Sequence, residues 1–222
     1  MRRLRGFVER FREWVASRRA SSRGRAILRG DAGEPDIGGM PELIVRDAGS
    51  IRSLSPHARR GALYTVLDAC DEPRILTKVR ELGPHRAVSL YRGAAEEDLA
   101  AIAPYLVIVD GDLLGWIGSA LWSSPWGVFA VSDSALDELR THFRRFLLVD
   151  APDGDKWYFR FYDPRVLPRF LATCDPAQLT DFFGPVSTFG WTDPETYGVE
   201  LARQAWFEPP LPARPSITLK RP

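Results

Sequence analysis

The stretch WYFRFYDPRVLPRFL, residues 157–171, sets Arg160, Tyr162, Asp163 and Arg165 close together. Two guanidinium groups beside a phenol and a carboxylate have the chemistry of an anion site or a docking surface, above all at a strand-to-helix junction. The same residues can also build a stiff corner. Strand alternation puts Trp157, Phe159 and Phe161 on one side and Tyr158, Arg160 and Tyr162 on the other. Both sides are largely apolar, which predicts a central strand and a desolvated Arg160. A buried guanidinium requires a carboxylate, supplied by Asp163 or by a neighbouring strand. The corner is the stronger expectation.

Other constellations are sparse. His57 and His85 lie next to prolines, and His142 stands beside Arg144 and Arg145. None has metal-ligand spacing with Cys, His or a carboxylate, and HExxH and paired CxxC are missing, so no metal is expected. No Walker A, GxGxxG or GxSxG motif occurs; DGDLLGWIG at 110–118 fits none of them. Asp110 and Asp112 have the charge to share a cation, but a polar turn after a buried strand is the expected role. No catalytic residue and no cofactor are assigned, and the chain is expected not to be an enzyme. Trp122, Trp126 and Trp191 are candidate contact residues if exposed, because aromatic and arginine anchors dominate interfaces.

The elements that must position these groups come from a chain of 222 residues, 45% hydrophobic and 27% charged, enough for a sizeable core. No apolar run is long enough to span a membrane, and no secretory signal follows the N-terminal arginines. Cys70 and Cys174 are read as buried thiols in a reducing cytoplasm. The net charge of +1 hides an asymmetry. Residues 1–30 hold ten Arg and two Glu, a net of +8, which leaves −7 on the rest. The acidic body argues against a nucleic-acid partner. The excess of 27 Arg over three Lys is what a GC-rich coding sequence produces.

Residues 1–40 read as a basic amphipathic helix and a linker. Over 3–19, Phe7, Phe11 and Trp14 recur at helical spacing with arginines opposite, a pattern that suits packing on its own domain, docking on a partner, or a membrane surface. Residues 41–207 read as one α/β domain, a mixed sheet with flanking helices and a helical C-terminal part; 208–222 form a proline-rich tail. Strands are expected at 61–70, 86–91, 105–110 and 126–131. Helices are expected in DEPRILTKVREL, GAAEEDLAAIAP and LLGWIGSALW, and in SALDELRTHFRRF with Ser132 or Asp133 as cap. FLLVD and KWYFRFY flank APDGD as a hairpin. Asp163-Pro164, Asp175-Pro176 and Asp193-Pro194 each precede a helical pattern, with aspartate as N-cap and proline at the first helical position. Gly184-Pro185 stops the middle helix.

In order, ALYTVLDACDEPRIL, VSLYRG, LAAIAPYLVIV, the long segment ending in WYFRFYDPRVLPRFL, and QLTDFFGPVSTF resemble the family of domain of unknown function 4123, over roughly residues 61–190. FRFYDPRVL and FFGPV are the specific part. The resemblance implies a cytoplasmic, non-catalytic adaptor or chaperone of bacterial type VI secretion, which binds a toxic effector and helps load it onto the VgrG spike protein. Arg160, Tyr162, Asp163, Pro164, Arg165, Phe183, Gly184 and Pro185 match its motif positions. The alternative is a peripheral membrane or other interaction protein that docks through the N-terminal helix.

Overall fold

The computed structural model describes residues 41–70, 72–150, 156–193 and 198–206. An interior strand of its sheet is β2 (Leu63–Asp68), every residue of which is buried. Tyr64 and Val66 enter one apolar core, while Leu63 and Leu67 enter another across the sheet. The same alternation divides β5 (Gly127–Val131), with Val128 and Ala130 on one side and Phe129 and Val131 on the other. In β4 (Pro104–Ile108), Leu106 faces the first core, and Tyr105 and Val107 face the second. The continuous apolar runs therefore mark strands covered on both faces.

The remaining strands of this sheet are β1 (Pro41–Asp47), β3 (Ala87–Ser89), β8 (Thr188–Thr192) and β9 (Val199–Trp206). Their order is β1-β9-β8-β5-β2-β4-β3, seven strands in all. Every pairing among them is antiparallel, with Tyr64 opposite Ile108 on one side of β2 and Leu63 opposite Val131 on the other. The α/β organisation is as expected, but the sheet has no parallel pair among the described residues where a mixed one was expected. Burial on both faces gives the same apolar run in either orientation, so the sequence pattern does not discriminate.

One helical layer comprises α1 (Ser55–Arg59), α2 (Pro73–Leu82) and α4 (Gly111–Trp116), which runs on into a π-helical turn at Ile117–Leu121. Leu54, Ala58, Ile75, Val79, Leu113 and Ile117 seal the second core. The short α3 (Ala94–Asp98) follows β3. The opposite layer holds α5 (Leu136–Arg144), α6 (Leu167–Leu171) and α7 (Pro176–Phe183). The C-terminal part is thus helical only to Phe183, after which β8 and β9 return to the sheet. The helix expected after Asp193-Pro194 would begin in residues outside those described, and from Val199 the chain is strand β9; the Asp193 N–H donates to the Gly198 carbonyl. No helix among the described residues is long and apolar enough to cross a membrane.

The hairpin around APDGD is present as β6 (Leu148–Asp150) and β7 (Lys156–Tyr158), which form a separate two-stranded sheet. KWYFRFY is therefore not a central strand. It leaves its ladder after Tyr158, and Phe159 donates to the Leu147 carbonyl at 2.9 Å. Its aromatics build a layer of their own instead. Phe161 packs against Phe143, Phe159 and Phe182, with ring centroids 5.4, 6.2 and 5.8 Å away. The caps are also redistributed. Ala135 holds the N-cap of α5, while Ser132 Oγ donates to the Pro185 carbonyl at 2.7 Å and ties β5 to the segment after α7. Neither cysteine is in a disulfide; Cys70 is exposed and Cys174 half-buried, where both were expected to be buried.

Candidate functional site: a charged corner beside an apolar groove

The corner is built from two ion pairs. Arg160 reaches the end of β2 and bonds the Asp68 carboxylate, whose side chain is 5% exposed. Burial pushes the Asp68 carboxyl above its usual value, and the Arg160 guanidinium offsets this only in part. For Arg160, burial works against the charge but the adjacent Asp68 carboxylate outweighs it, so the guanidinium is held firmly protonated. A carboxylate from a neighbouring strand, rather than Asp163, is thus the partner that the buried arginine requires.

Asp163 is engaged elsewhere. It is 1% exposed and accepts from the Arg165 backbone N–H at 2.8 Å and from the Arg165 side chain at 2.9 and 2.6 Å. Val166 holds the N-cap of α6 without a side-chain bond, so Asp163 closes the turn before the helix instead of capping it. The Asp163 carbonyl meanwhile accepts from Val166 and Leu167. Asp175, in contrast, is the cap predicted, with a full capping box: its carboxylate accepts from the Gln178 N–H at 2.8 Å, and the Gln178 side chain accepts from the Asp175 N–H at 2.9 Å.

Gly184 ends α7 with φ +48°. A Cβ there would lie 2.4 Å from the His142 Cε1, so glycine is required both by conformation and by the close approach of the imidazole. His142 is buried, and its Nε2 lies 2.9 Å from the Phe182 carbonyl, which makes Nε2 the protonated nitrogen. Burial lowers the His142 pKa, the Phe182 carbonyl opposes this, and the Arg145 charge lowers it further. Phe183 is core, packed edge-on against Phe189.

The three tryptophans part company. Trp126 and Trp191 are 1% and 2% exposed, so neither is a surface anchor; Trp126 packs on Phe129, and Trp191 Nε1 donates to Glu200 at 2.7 Å. Trp122 is half-buried and lies with Pro164 and Arg165 around a cavity of about 190 Å³. Phe7, Phe11 and Trp14 lie outside the described residues. Asp110 caps α4 through the Leu113 N–H at 2.9 Å and pairs with Arg86 at 2.6 Å, which accounts for its charge. Among the described residues no three His, Cys, Asp or Glu are grouped to hold a metal.

Sequence reasoning missed the groove beside this corner, which has a volume of about 630 Å³. Leu90, Leu147 and Tyr158 line its inner part, and Leu99 and Leu148, 42% and 54% exposed, stand at its open side. Tyr158 stacks edge-on against Tyr91 at 5.8 Å and lies beside Tyr162, whose ring is 5.9 Å from the Arg160 guanidinium. Burial drives the phenols of Tyr158 and Tyr162 upward, so both stay neutral. Leu99 joins two short helical segments, Ala94–Asp98 and Ala100–Ile102, neither of which contributes a buried residue.

No curated protein and no solved structure matches the chain. A family model does match, over residues 63–181, from the start of β2 into α7, and it is described as "Domain of unknown function (DUF4123)". The match takes in both ion pairs and the groove, and stops just short of Phe183, Gly184 and Pro185. As it covers more than half of the 222 residues, the chain belongs to the DUF4123 family.

Proposed function

We propose that this protein is a non-catalytic adaptor or chaperone of the bacterial cytoplasm that binds a toxic effector of type VI secretion and helps load it onto the VgrG spike protein. The observation that carries the reading is the open apolar groove with Leu99 and Leu148 exposed at its side. Exposed apolar side chains around a concavity are what a protein-docking site presents. The charged corner supports it from beneath. Arg160 bonds Asp68 and so ties the segment after β7 to the sheet, while Arg165 and Asp163 bond each other and stiffen the turn before α6. In this reading the arginines and carboxylates fix a docking face; they do not process a substrate. The test is co-expression of the full chain with the toxin encoded beside it and with VgrG. Toxin and VgrG are expected to co-elute with the chain, and the toxin to aggregate less in its presence. Recovery of neither protein overturns the proposal.

A further inference from the structure

The groove has a charge as well as a shape. Arg92, Arg144 and Arg145 line it, and Arg140 stands beside Arg144. Glu96 answers Arg140 at 2.9 Å and Arg144 at 3.9 Å, and Asp181 answers Arg145 at 2.5 Å. Among the described residues four guanidinium groups thus face two carboxylates, on a body whose residues 31–222 carry a net −7. Arg92 is exposed and has no ion-pair partner among the described residues. Burial and the charges of Arg140 and Arg92 lower the Arg144 pKa, a sign that positive charge there is under-compensated.

The backbone beside the groove is already occupied. The side chain of Arg144 donates to the carbonyls of Ser89, Leu90 and Tyr91, and that of Arg140 donates to Ser89. An extended peptide adding to this end of β3 would find those acceptors taken. A helix, by contrast, satisfies its own backbone and needs only apolar and charged side-chain contacts. We infer that the groove receives an acidic amphipathic helix of the partner protein, with aliphatic side chains set between Leu99 and Leu148 and carboxylates directed at Arg92, Arg144 and Arg145. The inference rests on the adaptor reading in taking the occupant to be a protein. Charge decides against the chain's own residues 3–19, whose arginines would meet an arginine rim.

Fluorescence anisotropy on the full chain tests this with two labelled helices of about 18 residues, about five turns. Both carry the same leucine face, one with glutamates opposite and one with lysines. The acidic helix is expected to bind at least about tenfold tighter, with the preference shrinking as salt is raised. Arg92→Glu, at an exposed position, should reduce or reverse the preference, and Leu148→Asp should weaken binding of the acidic helix by about tenfold or more. Equal binding of the two helices, tighter binding of the basic one, or indifference to Arg92→Glu overturns the inference. So does a rise in acidic-helix affinity on Trp14→Asp, which would identify the chain's own N-terminal segment as occupant. A dimer that sedimentation shows and Leu148→Asp dissolves would overturn it in favour of a second copy. Acidic-helix selectivity without toxin recovery refutes only the effector-loading role; toxin recovery without that selectivity refutes only the helix.

Discussion

At the scale of single residues, the corner is held by two buried carboxylates, Asp68 and Asp163, each paired with an arginine that keeps part of its surface in solvent. Arg160 and Asp68 are 92 residues apart in the chain, yet each is the other's counter-charge in the fold. Removal of Arg160 would leave a carboxylate buried at the end of β2 with, among the described residues, only the Cys70 N–H at 3.1 Å to solvate it. We expect Arg160→Met to cost about 3 kcal/mol in urea unfolding, and Asp68→Asn added to it to restore part of that loss. Additive losses in the double variant would show that the two do not compensate each other. Asp163 calls for a different estimate from that of a simple helix cap. Its three bonds to Arg165 are made at a nearly fully buried carboxylate, whereas Arg165 itself is 38% exposed and can be rehydrated. Asp163→Ala should therefore cost about 2 kcal/mol, more than the ~1 kcal/mol of a lost cap. A loss under about 0.5 kcal/mol would contradict the bonding described.

At the scale of elements, what the sequence makes legible is local, and what it hides depends on distant partners. The Asp175 capping box, the Gly184 stop and the hairpin of β6 and β7 are each written within a few residues, and each forms where expected. Asp163-Pro164 and Asp193-Pro194 carry the same dipeptide, but Asp163 is drawn to Arg165 and Asp193 falls between two strands. KWYFRFY has strand composition throughout and pairs only through Tyr158, because the aromatics beyond it are claimed by α5, α6 and α7. The corner residues were thus found by type, with a strand carboxylate among the partners expected for Arg160 but Asp163 misassigned as a cap, and the groove went unseen because its walls come from separate parts of the chain. The join between α5 and α7 is the element-level feature most open to test. Gly184→Ala would place a methyl group against His142 at a positive φ, and should cost about 2 kcal/mol or more. Asp175→Ala, which loses only its cap, should cost about 1 kcal/mol. Thermal unfolding that ranks Asp175→Ala as the worse of the two would refute the proposed role of the close contact.

At the scale of the whole molecule, the sheet is shared. β2, β4 and β5 place alternate side chains in both cores, so neither helical layer can come away without exposing strands that the other one needs. A disturbance in one layer should consequently unfold both in a single transition. His142 provides a way to impose it. Burial holds the imidazole pKa down, with the Arg145 charge adding to it, and the Phe182 carbonyl, Asp181 and Glu138 oppose that effect. Because its folded pKa lies below the unfolded value, the unfolded chain takes up the proton first as pH falls, and stability contributed by the neutral ring is lost below about pH 6.5. Asp68 works in the other sense. Its raised pKa lets the folded state take up a proton before the unfolded chain does, so its cost is relieved as acid is added. His57, lowered by burial and by Arg60, adds to the His142 trend. The total slope is a sum of opposed contributions, and comparison with His142→Gln isolates one of them, since glutamine can still donate to the Phe182 carbonyl without titrating. The stability advantage of the parent chain over His142→Gln should shrink by up to about 1 kcal/mol between pH 7 and pH 5.5. Urea unfolding followed by far-ultraviolet circular dichroism and by tryptophan fluorescence should give coincident midpoints at both pH values. An advantage that does not change with pH would show that the His142 pKa is the same in the folded and unfolded chains. Separated midpoints would show that the layers on the two faces of the sheet fold independently.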